Sequence, residues 1–332
     1  MKGVVVLDLS RYFPGPLACT ILGQMGARVI KVEQPGTGDP LREWEKEQGS
    51  PFFQVLNSGK EGVFLDLATP SGRARLLSLV GSSDILVESY RPEAAAQLGI
   101  TYSELARVNP RLILCSIVGY PRGADREGAA AHDLNFAAEA GMWVDPGGGA
   151  TPCPPPTQVV DLTASLLAVI AVMAALNRRQ ETGVGSWVEV SLQGAASMGM
   201  LLAGIAAFAD VTLPLTGELP CYRYYRTADD GWIAVAALEQ KFWVRFCTAL
   251  GDEELATRNH LDRGDQELCA RVAALVAQRT ALEWRKVFAK VDCCAVVAGS
   301  VSAAGAVPLP ARTMAGDTLF SPVAGAAPLL PG

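Results

Sequence analysis

Histidine is nearly absent from this chain of 332 residues: there are two, and His132 is one of them. Half the residues are hydrophobic, yet no uninterrupted apolar run reaches the roughly 18 to 20 residues that a membrane-spanning helix needs. The nearest approach, Leu162 to Leu176, is interrupted by Thr163 and Ser165 and reads as buried core, so no membrane partner is expected. The opening Met1-Lys2-Gly3-Val4-Val5-Val6-Leu7-Asp8 has too short an apolar run for a signal peptide and places an acid where such a run should continue. It reads as a first strand. The eight cysteines lack paired spacing, which suggests reduced thiols and a cytoplasmic location, and the adjacent Cys293 and Cys294 make no metal site by themselves. A formal charge of −6 without a basic run gives no footing for nucleic acid.

What is present is an alternation of strands and helices. Val4 to Asp8 fits a parallel strand buried on both faces. Phe13-Pro14-Gly15-Pro16 follows as a turn, Leu17 to Met25 as a helix ended by Gly26, and Ala27 to Glu33 as a second strand. Strand, helix, strand in this order is a right-handed βαβ unit, and the alternation continues through Gly62–Leu67, Pro70–Val80, Asp84–Glu88, Tyr102–Val108 and Leu112–Val118. The fold class is therefore α/β, with a parallel sheet in the first domain. The loop Pro35 to Pro40 stands at a strand's carboxyl end, where open α/β sheets bind ligands, but its glycines lack the spacing of a dinucleotide fingerprint.

After a polar loop, Ala131 to Gly141 reads as a helix beginning near His132-Asp133, and a proline-rich connection leads to Gln158-Val159-Val160-Asp161. Downstream of Asp161 lie four to five helical turns without charge until Arg178, so this segment reads as a helix buried all round. Arg178-Arg179 suit its carboxyl end, and Thr182-Gly183-Val184-Gly185 breaks it before the strand Trp187 to Val190. The Asp161 carboxylate has two readings: an N-cap of this helix, or a nucleophile or general base at a pocket edge. Beyond Ser191 the composition shifts to Ala, Gly and Met. The divisions are a large α/β domain at 1–191, a linker at 192–217, a small α+β domain at 218–297 and a C-terminal segment at 298–332.

Phe13-Pro14-Gly15-Pro16, Gly26 to Glu33 with Pro35-Gly36-Thr37-Gly38-Asp39, Asn57-Ser58-Gly59-Lys60, Glu88-Ser89-Tyr90-Arg91-Pro92, Asn109 to Ile113 and Thr182 to Gly185 occur in order. As a set they resemble the family III CoA-transferases, the CaiB/BaiF group that also includes the α-methylacyl-CoA racemases. The resemblance covers residues 3 to about 250. It implies a Rossmann-like large domain, a small domain, an interlocked homodimer, an acyl-CoA substrate and a C-terminal segment returning toward the large domain, a segment expected to be shorter here than in the family.

Asp161 stands where this family carries a shared aspartate, which attacks the thioester in the transferases and is one of two acid/base groups in the racemases. Ala131-His132-Asp133-Leu134-Asn135 is similar to the racemase His-Asp element, and Leu238 to Trp243 to the racemase segment whose glutamate, here Glu239, partners the histidine. Proton abstraction beside a thioester makes an enolate, so a racemase needs a base, an acid on the opposite face and donors for the thioester oxygen. An imidazole titrates near pH 6.5, a buried site would raise the Asp161 carboxyl toward it, and a helix starting at Asp133 would offer N–H groups to the enolate. No cofactor is needed beyond the CoA that the substrate carries. The family has basic residues near Gln34 and Gln97, so phosphate contacts are expected from Arg91, Lys60 and Arg42, with Tyr90 beside them. The expectation is a racemase or epimerase of 2-methyl-branched acyl-CoA thioesters. The alternatives are a CoA-transferase working through Asp161 and a non-catalytic CoA-binding or scaffold protein.

Overall fold

In a computed structural model, which describes residues 1–143, 151–211 and 215–299 apart from 46, 48 and 155, the chain divides into two compact units. The first is Met1–Leu201, and the second begins at Leu202.

The first unit contains β1 (Val5–Asp8), α1 (Pro14–Gln24), β2 (Arg28–Glu33), α2 (Pro51–Leu56), β3 (Glu61–Phe64), α3 (Pro70–Val80), β4 (Ile85–Glu88), α4 (Pro92–Leu98), α5 (Tyr102–Val108), β5 (Ile113–Val118), α6 (Asp133–Glu139), α7 (Val159–Thr182), β6 (Ser186–Ser191) and α8 (Leu192–Gly199). All six strands are parallel and lie in the order β3-β2-β1-β4-β5-β6. This is the Rossmann order, in which the chain leaves β1 in one direction and returns on its other side through β4. The apolar strand runs follow from burial on both faces. Val6, Ile85, Ile113 and Cys115 pack with α1 and α7 on one face, while Leu7, Leu86, Leu112 and Leu114 pack with Leu76, Val80 and Leu105 on the other.

Several boundaries differ from the sequence reading. Pro14-Gly15-Pro16 is the first turn of α1 rather than a turn before it, because a proline at the first helical position loses no intrahelical bond. α7 starts at Val159 with Gln158 as its N-cap, which puts Asp161 at the third helical position. It ends at Gly183 with φ 72°, a left-handed residue suited to glycine. Two residues on, a Cβ at Gly185 would lie 1.9 Å from the Leu112 carbonyl oxygen, so only glycine lets β6 approach β5 there.

α7 is not buried all round. Val160, Ala164, Ala168, Val172 and Ala175 recur every three or four residues on its core face, whereas Leu162, Leu166, Ile170 and Met173 line an exposed stripe. Among the described residues it is the one helix long and apolar enough by composition to cross a membrane, but its inner face belongs to the core of the sheet.

Residues 192–208, part of the stretch expected to be a linker, form two helices, α8 and α9 (Leu201–Phe208), and the boundary between the units falls inside α9. The second unit holds β7 (Tyr222–Arg226), β8 (Trp232–Ala236), α10 (Gln240–Leu250), α11 (Gln266–Val276), α12 (Ala281–Phe288) and β9 (Ala295–Val297). Its three strands are antiparallel in the order β7-β8-β9, over a core centred on Trp243, Phe246 and Trp284. Residues 300–332, most of the expected returning C-terminal segment, lie outside the described residues.

Candidate active site

His132 is the N-cap of α6, in extended backbone conformation. Its N–H donates to Asn135 Oδ1 at 3.0 Å and its carbonyl accepts the Asn135 N–H at 2.8 Å, so the histidine is held from both backbone groups while its ring is exposed. Behind it Phe136 and Ala137 are buried, and the Phe136 ring packs against Tyr120 with centroids 5.1 Å apart. Burial of Phe136 fixes α6 on the core by about 1.5 to 3 kcal/mol, and with it the position of His132.

Asp133 opens α6 and turns its carboxylate to the start of α7, where Oδ1 accepts the Asp161 N–H at 2.8 Å. The first N–H groups of any helix lack intrahelical partners, and here a side chain from another helix supplies one. Asp133 and Asp161 are thereby brought together, with His132 next in the chain.

The Asp161 carboxylate is no N-cap, and among the described residues no side-chain hydrogen bond ties it down. Burial first, and the neighbouring negative charge of Asp133 second, push its pKa up to about 7. The positive end of the α7 dipole would favour the ionised form, and the two raising effects outweigh it. A carboxyl that titrates near neutral pH can both accept and return a proton. Glu239, the third expected partner, is an exposed residue of the second unit, at the N-cap of α10.

At the carboxyl ends of the strands lies a different arrangement. Asp8 ends β1 and is wholly buried; burial alone would raise its pKa, but Lys31 and Lys60 reverse this and hold it well below the usual carboxylate range. The Lys60 ammonium donates to Asp8 Oδ2 at 2.7 Å, the Pro16 carbonyl at 2.9 Å and Asn57 Oδ1 at 2.8 Å. An ammonium has three donors, all used here, on a side chain only 2% exposed. The expected phosphate contact through Lys60 is therefore replaced by a structural role inside the sheet.

Arg42 forms a two-pronged pair with Glu33, at 2.7 and 2.8 Å, and its guanidinium lies 3.7 Å from the Phe53 ring centroid. Arg91 is exposed at the N-cap of α4. Tyr90 lines a cavity of about 280 Å³ at the ends of β2, β3 and β4, where parallel sheets of this order bind nucleotides. Arg11, not singled out from the sequence, lines the same cavity. Its position three residues past β1, in the first strand-to-helix loop, was the available signal. Among the described residues no cluster of three or more His, Cys, Asp or Glu could hold a metal ion.

The description "CoA-transferase family III" matches residues 1–314. This chain belongs to CoA-transferase family III. Within the family it is 29% identical to human "Alpha-methylacyl-CoA racemase" over 303 residues, 89% of this chain and 76% of that one. It is 30% identical to "Acetyl-CoA:oxalate CoA-transferase" of Acetobacter aceti over 316 residues, covering 87% and 78% of the two chains. Among solved structures, Rv3272 of Mycobacterium tuberculosis superposes with a TM-score of 0.85 at 27% identity, covering 98% of this chain and 96% of the other. The Rossmann-like sheet and small antiparallel sheet thus accord with the family fold. Membership makes the chain an enzyme of the family III CoA-transferase and racemase superfamily. Fold alone does not choose between the two chemistries.

Proposed function

We propose that this protein is a racemase or epimerase of 2-methyl-branched acyl-CoA thioesters. The observation that carries the reading is the junction of α6 and α7, where the His132-Asp133 pair meets an Asp161 whose pKa is pushed up to about 7. One group removes the α-proton, the electron pair of the broken C–H bond moves onto the thioester oxygen as an enolate, and the other group delivers a proton to the opposite face. His132 and Asp161 are the two groups that move protons. Asp133 tunes Asp161 by its charge. The human racemase relative supports this choice of chemistry.

The test is incubation with a panel of 2-methylacyl-CoAs in deuterated water and no acceptor acid, with α-deuterium incorporation as the readout. A second reading, CoA transfer between carboxylic acids with Asp161 as nucleophile, is supported by the transferase relative at 30% identity. It requires CoA transfer on adding free acids, without exchange in their absence. Binding of CoA without either activity would leave the scaffold reading.

The apolar stripe Leu162, Leu166, Ile170 and Met173 supports a homodimer in which this face of α7 is covered, since exposed contiguous apolar surface marks interaction sites.

A further inference from the structure

The cavity at the ends of β2, β3 and β4 has an apolar wall of Val32, Leu65, Leu67 and Leu98, and both of its acids make hydrogen bonds within the protein. Glu33 is taken by Arg42 and by the Asp39 N–H at 3.0 Å. Asp66 accepts the Ala68 N–H through Oδ1 at 3.1 Å. Among the described residues lining the cavity, Arg11 is the one cation, and none of the ion pairs found among the described residues involves it.

Arg11 is also held in place. Its N–H donates to Ser89 Oγ at 3.2 Å, tying the β1–α1 loop to the end of β4. The next residue, Tyr12, adopts a left-handed φ of 64° and donates its N–H to Asp39 Oδ1 at 3.3 Å. The guanidinium stands 5.3 Å from the centroid of the Tyr90 ring. A guanidinium beside an aromatic ring keeps its in-plane N–H donors available, and their fork geometry matches two oxygens of a phosphate.

We propose that Arg11 is the phosphate-binding cation of this cavity and takes a phosphate of the nucleotide end of a CoA thioester. The proposal deepens the acyl-CoA reading and rests on it. Gln34 lines the same cavity and brings no charge, Lys60 is buried in the sheet, and Arg42 is neutralised by Glu33. Arg91 does not line the cavity, so within it the nucleotide's negative charge falls to Arg11 of the first loop.

The test is calorimetric titration of CoA and of 3′-dephospho-CoA into wild-type protein, Arg11→Gln and Arg11→Lys, which requires no turnover. Arg11→Gln is expected to weaken CoA binding by about 10- to 100-fold, the range for losing a charged hydrogen-bond partner, and Arg11→Lys to recover part of the loss. A loss confined to CoA assigns the 3′-phosphate to Arg11, and an equal loss for both ligands assigns the diphosphate; either supports the proposal. Unchanged binding of both ligands by Arg11→Gln overturns it, as does an equal loss in both variants accompanied by a lowered melting temperature. Failure of the wild-type protein to bind CoA at all would instead overturn the acyl-CoA reading, and this proposal with it.

Discussion

Asp133 Oδ1 accepts the backbone N–H of Asp161 at 2.8 Å, so one acid both caps the helix that carries the other and raises the pKa of its carboxyl. The two roles separate by mutation. Asp133→Asn keeps an oxygen for the N–H but removes the charge, so the Asp161 pKa should fall below about 7 and the corresponding limb of the kcat/KM pH profile should move to lower pH. Asp133→Ala should show the same displacement and in addition lose about 1 kcal/mol of stability, the usual cost of a lost cap. A pH profile identical in Asp133→Asn and wild type would remove Asp133 from the tuning of Asp161.

The raised Asp161 pKa also implies a dependence of stability on pH. In the unfolded chain this acid titrates near 3.8, and in the folded protein near 7. Between those values the native state binds the extra proton, so stability falls as pH rises through the window. The penalty is absent below about pH 4 and complete above about pH 7, where it is on the order of 2 to 4 kcal/mol. Asp161→Asn, which cannot ionise, should therefore match wild type in urea unfolding near pH 4 and be the more stable protein at pH 8. Equal stability at both pH values would show that Asp161 is not the strained carboxyl described here.

Lys60 gives a prediction opposite to that for a ligand-binding lysine. Lys60→Met leaves Asp8 buried beside Lys31 with its closest cation gone, and breaking such a pair costs about 3 to 5 kcal/mol. Denaturant unfolding should show this loss with or without CoA present. A variant of unchanged stability that bound CoA poorly would return Lys60 to the phosphate site.

Much of the first unit was legible because strands buried on both faces leave apolar runs such as Val4 to Leu7, and because glycines 26 and 183 punctuate the helices that follow. Asp161 was visible as a solitary acid before a long apolar segment. Its place inside the first turn was not, since Gln158 and Val159 carry no start signal. The exposed stripe of α7 was hidden for a related reason: Leu162 and Ile170 are as apolar as the residues of its inner face, so periodicity could not tell the two faces apart. Lys60 was expected at a phosphate, and its burial was not legible because the Asp8 it neutralises lies 52 positions away. The contact between Asp133 and Asp161 spans 28 residues and a proline-rich connection, and no local pattern encodes it.

The stripe on α7 supplies a further test. Ile170 is 63% exposed, so Ile170→Lys removes little packing within the chain. If this face is covered in a dimer, light scattering should give wild type at twice the chain mass and Ile170→Lys shifted toward the monomer with its helical circular dichroism retained. A wild type that is monomeric at micromolar concentration would dismiss the dimer.

The most direct measurement follows α-deuterium incorporation into each enantiomer of a 2-methylacyl-CoA, in deuterated water without acceptor acid, for wild type, His132→Ala and Asp161→Ala. Two groups on opposite faces predict exchange of both enantiomers by wild type. His132→Ala should lose racemisation while exchanging one enantiomer only, and Asp161→Ala should show the opposite preference. Full racemisation by His132→Ala, or a wild type that exchanges neither enantiomer yet transfers CoA to added acids, would contradict the account.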